Sequence, residues 1–167
     1  EGEYLNGKRN GKGKEYYYNG KLIFEGEFLN GKRNGKGKEY NDEGKLIFEG
    51  EYLNGQRNGK GKEYNNGKLI FEGEYLNGKK WNGKGNNIIG NMEYEIKNGE
   101  GYIKENNYDG VLIFDGEYLN GERNGKGKEY NKYGELIFEG EYLNGKKIIE
   151  KGKEYTIFNG ELIFEGE

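Results

Sequence analysis

Lys45-Leu46-Ile47-Phe48-Glu49-Gly50-Glu51-Tyr52-Leu53, then Asn54-Gly55-Gln56-Arg57, then Asn58-Gly59-Lys60-Gly61-Lys62-Glu63-Tyr64, is the stretch that decides the fold. Its first run alternates, with Phe48, Gly50 and Tyr52 on one face and Ile47, Glu49, Glu51 and Leu53 on the other, which is the period of a strand. No stretch of the chain has the i, i+3, i+4, i+7 apolar spacing of a helix, and glycine at this density opposes one. Asn-Gly sits where the chain must reverse, because both residues tolerate positive φ. The stretch therefore reads as a β-hairpin. A four-residue loop, Asn54 to Arg57, would set Tyr52 against Gly59, Gly50 against Gly61, Glu51 against Lys60 and Glu49 against Lys62. One face then carries rings over glycines and the other carries cross-strand pairs of opposite charge. A slip by one residue would break both patterns together.

The same phrase recurs along the whole chain. Aligned on the glycine of Glu-Gly-Glu, units start near Gly2, Gly26, Gly50, Gly73, Gly90, Gly116 and Gly140, with a truncated copy at Gly166. A period in the low twenties is too short for two-helix repeats and fits one hairpin per unit. The expected organisation is one continuous array over 1–167, with an irregular region at 81–108. There the interval from Gly73 to Gly90 shrinks to 17 residues, Met92 stands where Tyr is expected, and Trp81 lengthens a hairpin tip. Ile148-Ile149 lengthens another. Glu1-Gly2-Glu3-Tyr4 and Glu165-Gly166-Glu167 are the same point of the unit, so the expectation is a segment of a longer array.

Composition then removes most chemistry. The 167 residues include 33 Gly, 16 Tyr and 8 Phe, but no His, Cys, Ser, Pro or Ala and one Thr, Thr156. Ser–His and Cys–His nucleophile pairs cannot be built, nor can metal centres that need His or Cys, so no cofactor and no catalytic residue is expected. Paired glutamates such as Glu25 and Glu27 share an outward face among lysines with no apolar pocket to raise a pKa. The net charge of −3 and the regular aromatics oppose disorder despite 34% charged residues. The absence of cysteine favours a reducing compartment.

At this length of repetition the residues resemble the MORN repeat, whose pattern is aromatic-x-Gly-x-aromatic-x-x-Gly-Lys-x-x-Gly-x-Gly. Phe48 to Gly61 and Phe24 to Gly37 carry it, as does Phe71 to Gly78 followed by Lys79. Met92, Glu95, Trp81 and Glu122 depart from it, as does the tip after Gly145. The resemblance implies an all-β fold of consecutive β-hairpin repeats joined edge to edge into one elongated, single-layer, twisted antiparallel sheet with an aromatic-lined groove. It also implies a non-catalytic scaffold that binds protein partners or associates with itself through the groove or edge strands, in a cytoplasmic, membrane-associated or cytoskeletal setting.

Two sets of side chains and one lone residue are the candidate contacts. Tyr4, Phe28, Tyr52, Tyr75, Tyr118 and Tyr142 form an aromatic stripe suited to a partner groove, and the same rings are the main core available to a single sheet. Lys8, Arg9, Lys32, Arg33, Arg57, Lys79, Lys80, Arg123, Lys146 and Lys147 gather at hairpin tips. Stacked units would align them into an edge for anionic lipid, phosphoinositide included; cross-strand pairing is the competing use. Trp81 is the candidate tip anchor. No nucleic-acid motif accompanies the basic residues, and no phosphate-binding glycine loop is present, so neither nucleic acid nor a small-molecule substrate is expected.

Overall fold

In the hairpin of residues 46–65 the chain reverses on two residues, Asn54 and Gly55, at φ of 53° and 91°. Left-handed conformations at both central positions match the twist of the flanking strands, so the short turn displaces the expected four-residue loop. Glu49 pairs with Lys62 and Gly50 with Gly61, as the charge alternation predicts, but Tyr52 stands opposite Arg57. The surplus residues go into a bulge. There Gly59 takes φ of 95°, and the Glu51 carboxylate accepts the Lys60 backbone N–H at 3.0 Å. The carboxylate occupies the space that a Cβ at Gly59 would need. The rings still meet glycines, but across the junction to the next hairpin, where Gly59 faces Tyr75 and Gly35 faces Tyr52.

The computed structural model describes residues 1–87, 89–107, 109–156 and 160–166. Positions 88 and 108, inside the stretch expected to be irregular, lie outside the described residues. Among the described residues every regular element is a β-strand, and consecutive hairpins form two antiparallel sheets, neither closed into a barrel, in place of the one sheet that the resemblance implies. The chain divides into two units, Glu1–Asn91 and Met92–Glu167. The first holds β1 (Gly2–Leu5), β2 (Lys8–Tyr16), β3 (Leu22–Leu29), β4 (Lys32–Tyr40), β5 (Leu46–Leu53), β6 (Gln56–Asn65), β7 (Lys68–Leu76) and β8 (Lys79–Asn86). The second holds β9 (Met92–Ile96), β10 (Gly101–Asn106), β11 (Leu112–Leu119), β12 (Glu122–Tyr130), β13 (Leu136–Leu143), β14 (Lys146–Tyr155) and β15 (Leu162–Glu165).

In each unit the core is a file of rings on one face of the strands. Phe24, Phe48, Phe71, Phe114 and Phe138 are fully buried. Each lies over a glycine of its own hairpin and meets the Tyr or Phe of that hairpin edge-on; the Phe48 and Tyr52 centroids are 5.6 Å apart. Phe24, Phe48 and Phe114 also meet the ring of the following hairpin, as Phe48 does Tyr75 at 5.2 Å. Such pairs contribute about 0.5–1.5 kcal/mol beyond burial. A cation caps the other side of the ring. Arg57 lies 4.0 Å from the Phe48 centroid, Arg33 4.3 Å from Phe24 and Arg123 4.1 Å from Phe114. Glycine pair, ring and guanidinium thus stack as one repeated layer, and burial of the ring supplies most of its stability.

The departures in sequence resolve into two kinds of adjustment. Trp81 does not lengthen a tip, because the fourth hairpin also turns on two residues, Asn77 and Gly78. Lys80 faces Tyr75 and Asn82 faces Glu74, so Trp81 is the extra residue of a bulge in β8. Ile148 and Ile149 likewise fall in β14, where Ile148 faces Glu141 and Gly152 faces Gly140. Both keep the short turn and the ring-bearing strand: in β14 the bulge grows and the glycine pair is kept, whereas in β8 the bulge holds one surplus residue and Gly83, in place of Gly85, meets Gly73.

The fifth unit has a different frame from the one its glycines suggest. Gly90 closes an inter-hairpin turn in which the Asn87 Oδ1 accepts the N–H groups of Ile89 and Asn91. The same Asn-x-x-Gly turn is built on Asn41, Asn107 and Asn131. The tip of the fifth hairpin is Asn98–Gly99, closed by the Lys97–Glu100 bridge. Counting back from that tip puts Tyr94 at the leading-glycine position, and counting along β10 puts Ile103 opposite Gly116. Both are buried, with Ile96 beside them in the place of the usual tyrosine. Side chains here fill the space that elsewhere a glycine pair leaves to a phenylalanine.

Candidate interaction surface

The two faces of the first unit have opposite characters. On the ring face, the glutamate of Lys-Glu-Tyr follows Gly-x-Gly at even spacing and so shares the side of the glycines and the arginines. The result is a line of alternating charges. Glu15 takes Arg9 and Arg33, the latter at 2.7 Å; Glu39 takes Arg33 at 3.2 Å and Arg57 at 2.6 Å; Glu63 takes Arg57 at 2.7 Å and Lys80 at 2.8 Å. The Tyr52 hydroxyl donates to Glu39 at 2.8 Å. In the second unit Arg123 bridges Glu105 and Glu129, at 2.9 and 3.3 Å, and Lys147 reaches Glu129 at 3.1 Å.

Burial raises the pKa of Glu39 and Glu63, and their partners outweigh it: the Arg57 guanidinium and the Tyr52 hydroxyl donor at Glu39, Lys80 and Arg57 at Glu63. Both carboxyls end below the usual range. Burial and the Glu39 charge in turn hold the Tyr52 phenol well above its usual value, so it remains a neutral donor. The sign for stability follows. A carboxyl with a depressed folded pKa contributes above its unfolded value, about 4.3 for Glu, and that contribution is lost as pH falls through the folded value. Urea midpoints are therefore expected to be level from neutrality to about pH 5 and to fall steeply below about pH 4. Glu39→Gln with Glu63→Gln should flatten that acid limb, and an acid limb unchanged in the double variant would refute the assignment.

The opposite face is open. Glutamates and lysines of β1 to β7 line a groove of about 1090 Å³, with the backbones of Gly13, Gly26, Gly37, Gly50, Gly61 and Gly73 as its floor. Ion pairs cross the junctions between hairpins, from Lys62 to Glu72 at 3.1 Å and from Lys14 to Glu25 at 3.7 Å. Being exposed, such pairs contribute little each. Tyr40 donates to Glu25 at 2.6 Å and Tyr64 donates to Glu49. Burial first, then the carboxylate, pushes both phenols up to about 12. Lys12, Lys36 and Lys60 stand exposed along the groove, beside glutamates whose carboxylates accept bulge N–H groups.

The candidate contacts fall into different places. Phe28, Tyr52, Tyr75 and Tyr142 are buried in the ring file, Tyr118 is half-buried in it, and Tyr4 is 63% exposed. The groove is lined by the charged face, not by these rings, because each ring packs over the glycines of its own side. Of the tip cations, Arg9, Arg33, Arg57, Lys80, Arg123 and Lys147 turn into the charge line, drawn by Glu15, Glu39, Glu63, Glu105 and Glu129. Lys8, Lys32 and Lys146 are exposed, Lys79 is half-buried, and Gln56 and Glu122 hold the equivalent positions, so the edge is not continuously basic. Trp81 is half-buried in its bulge. The groove lysines are legible as Gly-Lys-Gly-Lys on the charged face, and Lys12, Lys36 and Lys60 stand opposite Glu27, Glu51 and Glu74.

Among the described residues no cluster of acidic side chains fit for a metal is formed, and no helix is long and apolar enough to cross a membrane. The MORN repeat family model matches residues 1–21, 24–45, 48–68 and 114–132. No curated protein matches the chain. The two long unmatched stretches, 69–113 and 133–167, contain Trp81, Tyr94, Ile103 and Ile148-Ile149, where the hairpins adjust their bulges and core. MORN repeats are a non-enzymatic repeat type that generally serves protein or membrane interaction.

Proposed function

We propose that this chain, which belongs to the MORN-repeat family, is a non-catalytic scaffold that receives a protein partner in the groove of residues 1–91. One observation carries the reading: the ring face is filled and internally neutralised, whereas the opposite face holds an open groove of about 1090 Å³ with exposed lysines along it. A groove with a backbone floor and charged walls favours a polypeptide over a small molecule, since it offers length and no enclosed pocket. The anionic-lipid alternative loses weight because six of its ten candidate cations are held in ion pairs. A cytoplasmic setting accords with the reading.

The test is affinity capture from the source cell extract by the full chain and by Lys36→Glu/Lys60→Glu, with parallel sedimentation against vesicles of phosphatidylcholine and phosphatidylserine. A protein retained by the wild-type chain and lost from the double variant is the expected result. Retention indifferent to both changes, or salt-sensitive vesicle binding in place of any protein, would overturn it.

A further inference from the structure

Asn-Gly recurs fifteen times in the chain, and each copy is open to deamidation, because glycine puts no side chain between its amide nitrogen and the asparagine amide. The reaction needs that nitrogen free, and the fold supplies acceptors for it unevenly. At the tips Asn30–Gly31, Asn54–Gly55 and Asn77–Gly78 the glycine N–H donates to the carbonyl of Arg9, Arg33 or Arg57 in the preceding hairpin, at 2.8 Å each. Gly20 N–H donates to the Tyr17 carbonyl at 2.9 Å. Asn10, Asn34 and Asn58 are half-buried in strands, and their Oδ1 atoms accept the backbone N–H of the next tip asparagine at 3.1–3.5 Å.

Asn66–Gly67 differs. It joins β6 to β7 on two residues, at φ of 48° and 78°, the conformation of the tips. Among the described residues no acceptor meets the Gly67 N–H. A tip reaches back to a like tip before it, but the connection before Asn66–Gly67 is the four-residue turn Asn41–Gly44, closed on itself by Gly44 N–H on the Asn41 carbonyl. Asn66 and Gly67 are exposed and line an open cavity of about 460 Å³ with Lys45, Leu46 and Tyr64, so water reaches them.

We propose that Asn66 is a self-modification site, which the chain converts to aspartate and isoaspartate ahead of the tip asparagines. The Gly67 nitrogen gives its proton to water and bonds to the Asn66 Cγ; the Cγ–Nδ2 bond breaks, and ammonia leaves with a returned proton. Water then opens the cyclic imide. Cleavage of the new N–Cγ bond gives aspartate, cleavage of the original peptide bond gives isoaspartate, and neither changes an oxidation state. Both products put a carboxylate where the Asn66 Oδ1 accepts the Lys45 ammonium at 2.9 Å, beside Glu43, which pairs with that ammonium at 2.7 Å. Isoaspartate also adds a methylene to the main chain. A two-residue turn cannot absorb it, so the pairing of Asn65 with Lys68 and of Tyr64 with Leu69 is lost first.

The test incubates the full chain at neutral pH, with and without urea, and maps its tryptic peptides by mass spectrometry. Isoaspartate is detected by methyl transfer from S-adenosylmethionine with an isoaspartyl methyltransferase. In the folded chain Asn66 is expected to deamidate about fivefold or more faster than Asn30, Asn54 and Asn77, whose glycine N–H must first break a hydrogen bond. In urea the four rates should converge, because the acceptors are lost. Equal rates in the folded chain overturn the proposal. The same ratio in urea also overturns it, assigning the difference to flanking residues. Asn66→Gly keeps a two-residue turn and carries no amide. Its urea midpoint should hold through an incubation that lowers the wild-type midpoint, and a parallel fall in both would overturn the effect on the β6–β7 junction.

Discussion

Gly50→Ala is expected to destabilise the first unit by about 3 kcal/mol or more, the upper range for overpacking. The added methyl would stand 2.6 Å from the Lys60 carbonyl oxygen, 2.7 Å from the Gly61 Cα and 2.7 Å from the Phe48 ring. Two of those three neighbours are backbone, so no rotamer change relieves them. The strands must part, and parting them lifts Phe48 off the layer that holds Tyr52, Tyr75 and Arg57. Gly55→Asn is the matching control. Gly55 has φ of 91° but its nearest neighbour, the Lys32 Cβ, is 4.0 Å away, and Asn tolerates the left-handed region, so about 1 kcal/mol or less is expected there. Urea unfolding followed by Trp81 fluorescence, a probe within the same unit, reads both. Similar midpoints for the two variants would mean that the glycines matter for conformation alone and that the close strand approach carries nothing.

Arg57→Ala should cost about 2–4 kcal/mol, somewhat below the range for breaking a buried ion pair because the side chains keep some exposure. Arg57 is the one cation that Glu39 and Glu63 share, and it covers the Phe48 ring. Its removal leaves Glu39 to Arg33 and Tyr52, and Glu63 to Lys80 with Tyr75. Lys32→Ala, two strands away and exposed, should change the midpoint by about 0.5 kcal/mol or less. The loss at Arg57 should also shrink as pH falls, because protonated carboxyls no longer need the guanidinium. A cost that is the same at neutral and acid pH would assign Arg57 to ring packing and not to the charge line.

Much of this was legible. Alternation in Leu46–Leu53 and the Asn-Gly reversal dictated the hairpin, and the pairing of Glu49 with Lys62 and Gly50 with Gly61 followed from charge. The exclusion of nucleophile and metal chemistry rested on residues that the chain lacks. The turn length was misjudged because a four-residue loop and a two-residue turn followed by a bulge use the same number of residues. Only the φ values of Asn54, Gly55 and Gly59 separate them. The fifth unit was misframed because Gly90, Gly99 and Gly101 imitate repeat spacing, although Gly90 belongs to an Asn-x-x-Gly turn of the kind that Asn41–Gly44 also forms.

The sequence by itself determined the unit, its strands, its ring face and its charged face, since all of these are local and repeat with the chain. The tertiary structure decided which neighbours each face meets. Rings read as a groove are buried, because a glycine pair leaves room for a phenylalanine that the next hairpin's aromatic then covers. Arginines read as a free edge are neutralised, because Glu39 of the preceding hairpin and Glu63 of the same strand both come within 3 Å of Arg57. The surface left open is the Glu/Lys groove. A residue's partners across a junction depend on register and bulges, which act between hairpins and leave no mark within the sequence of one.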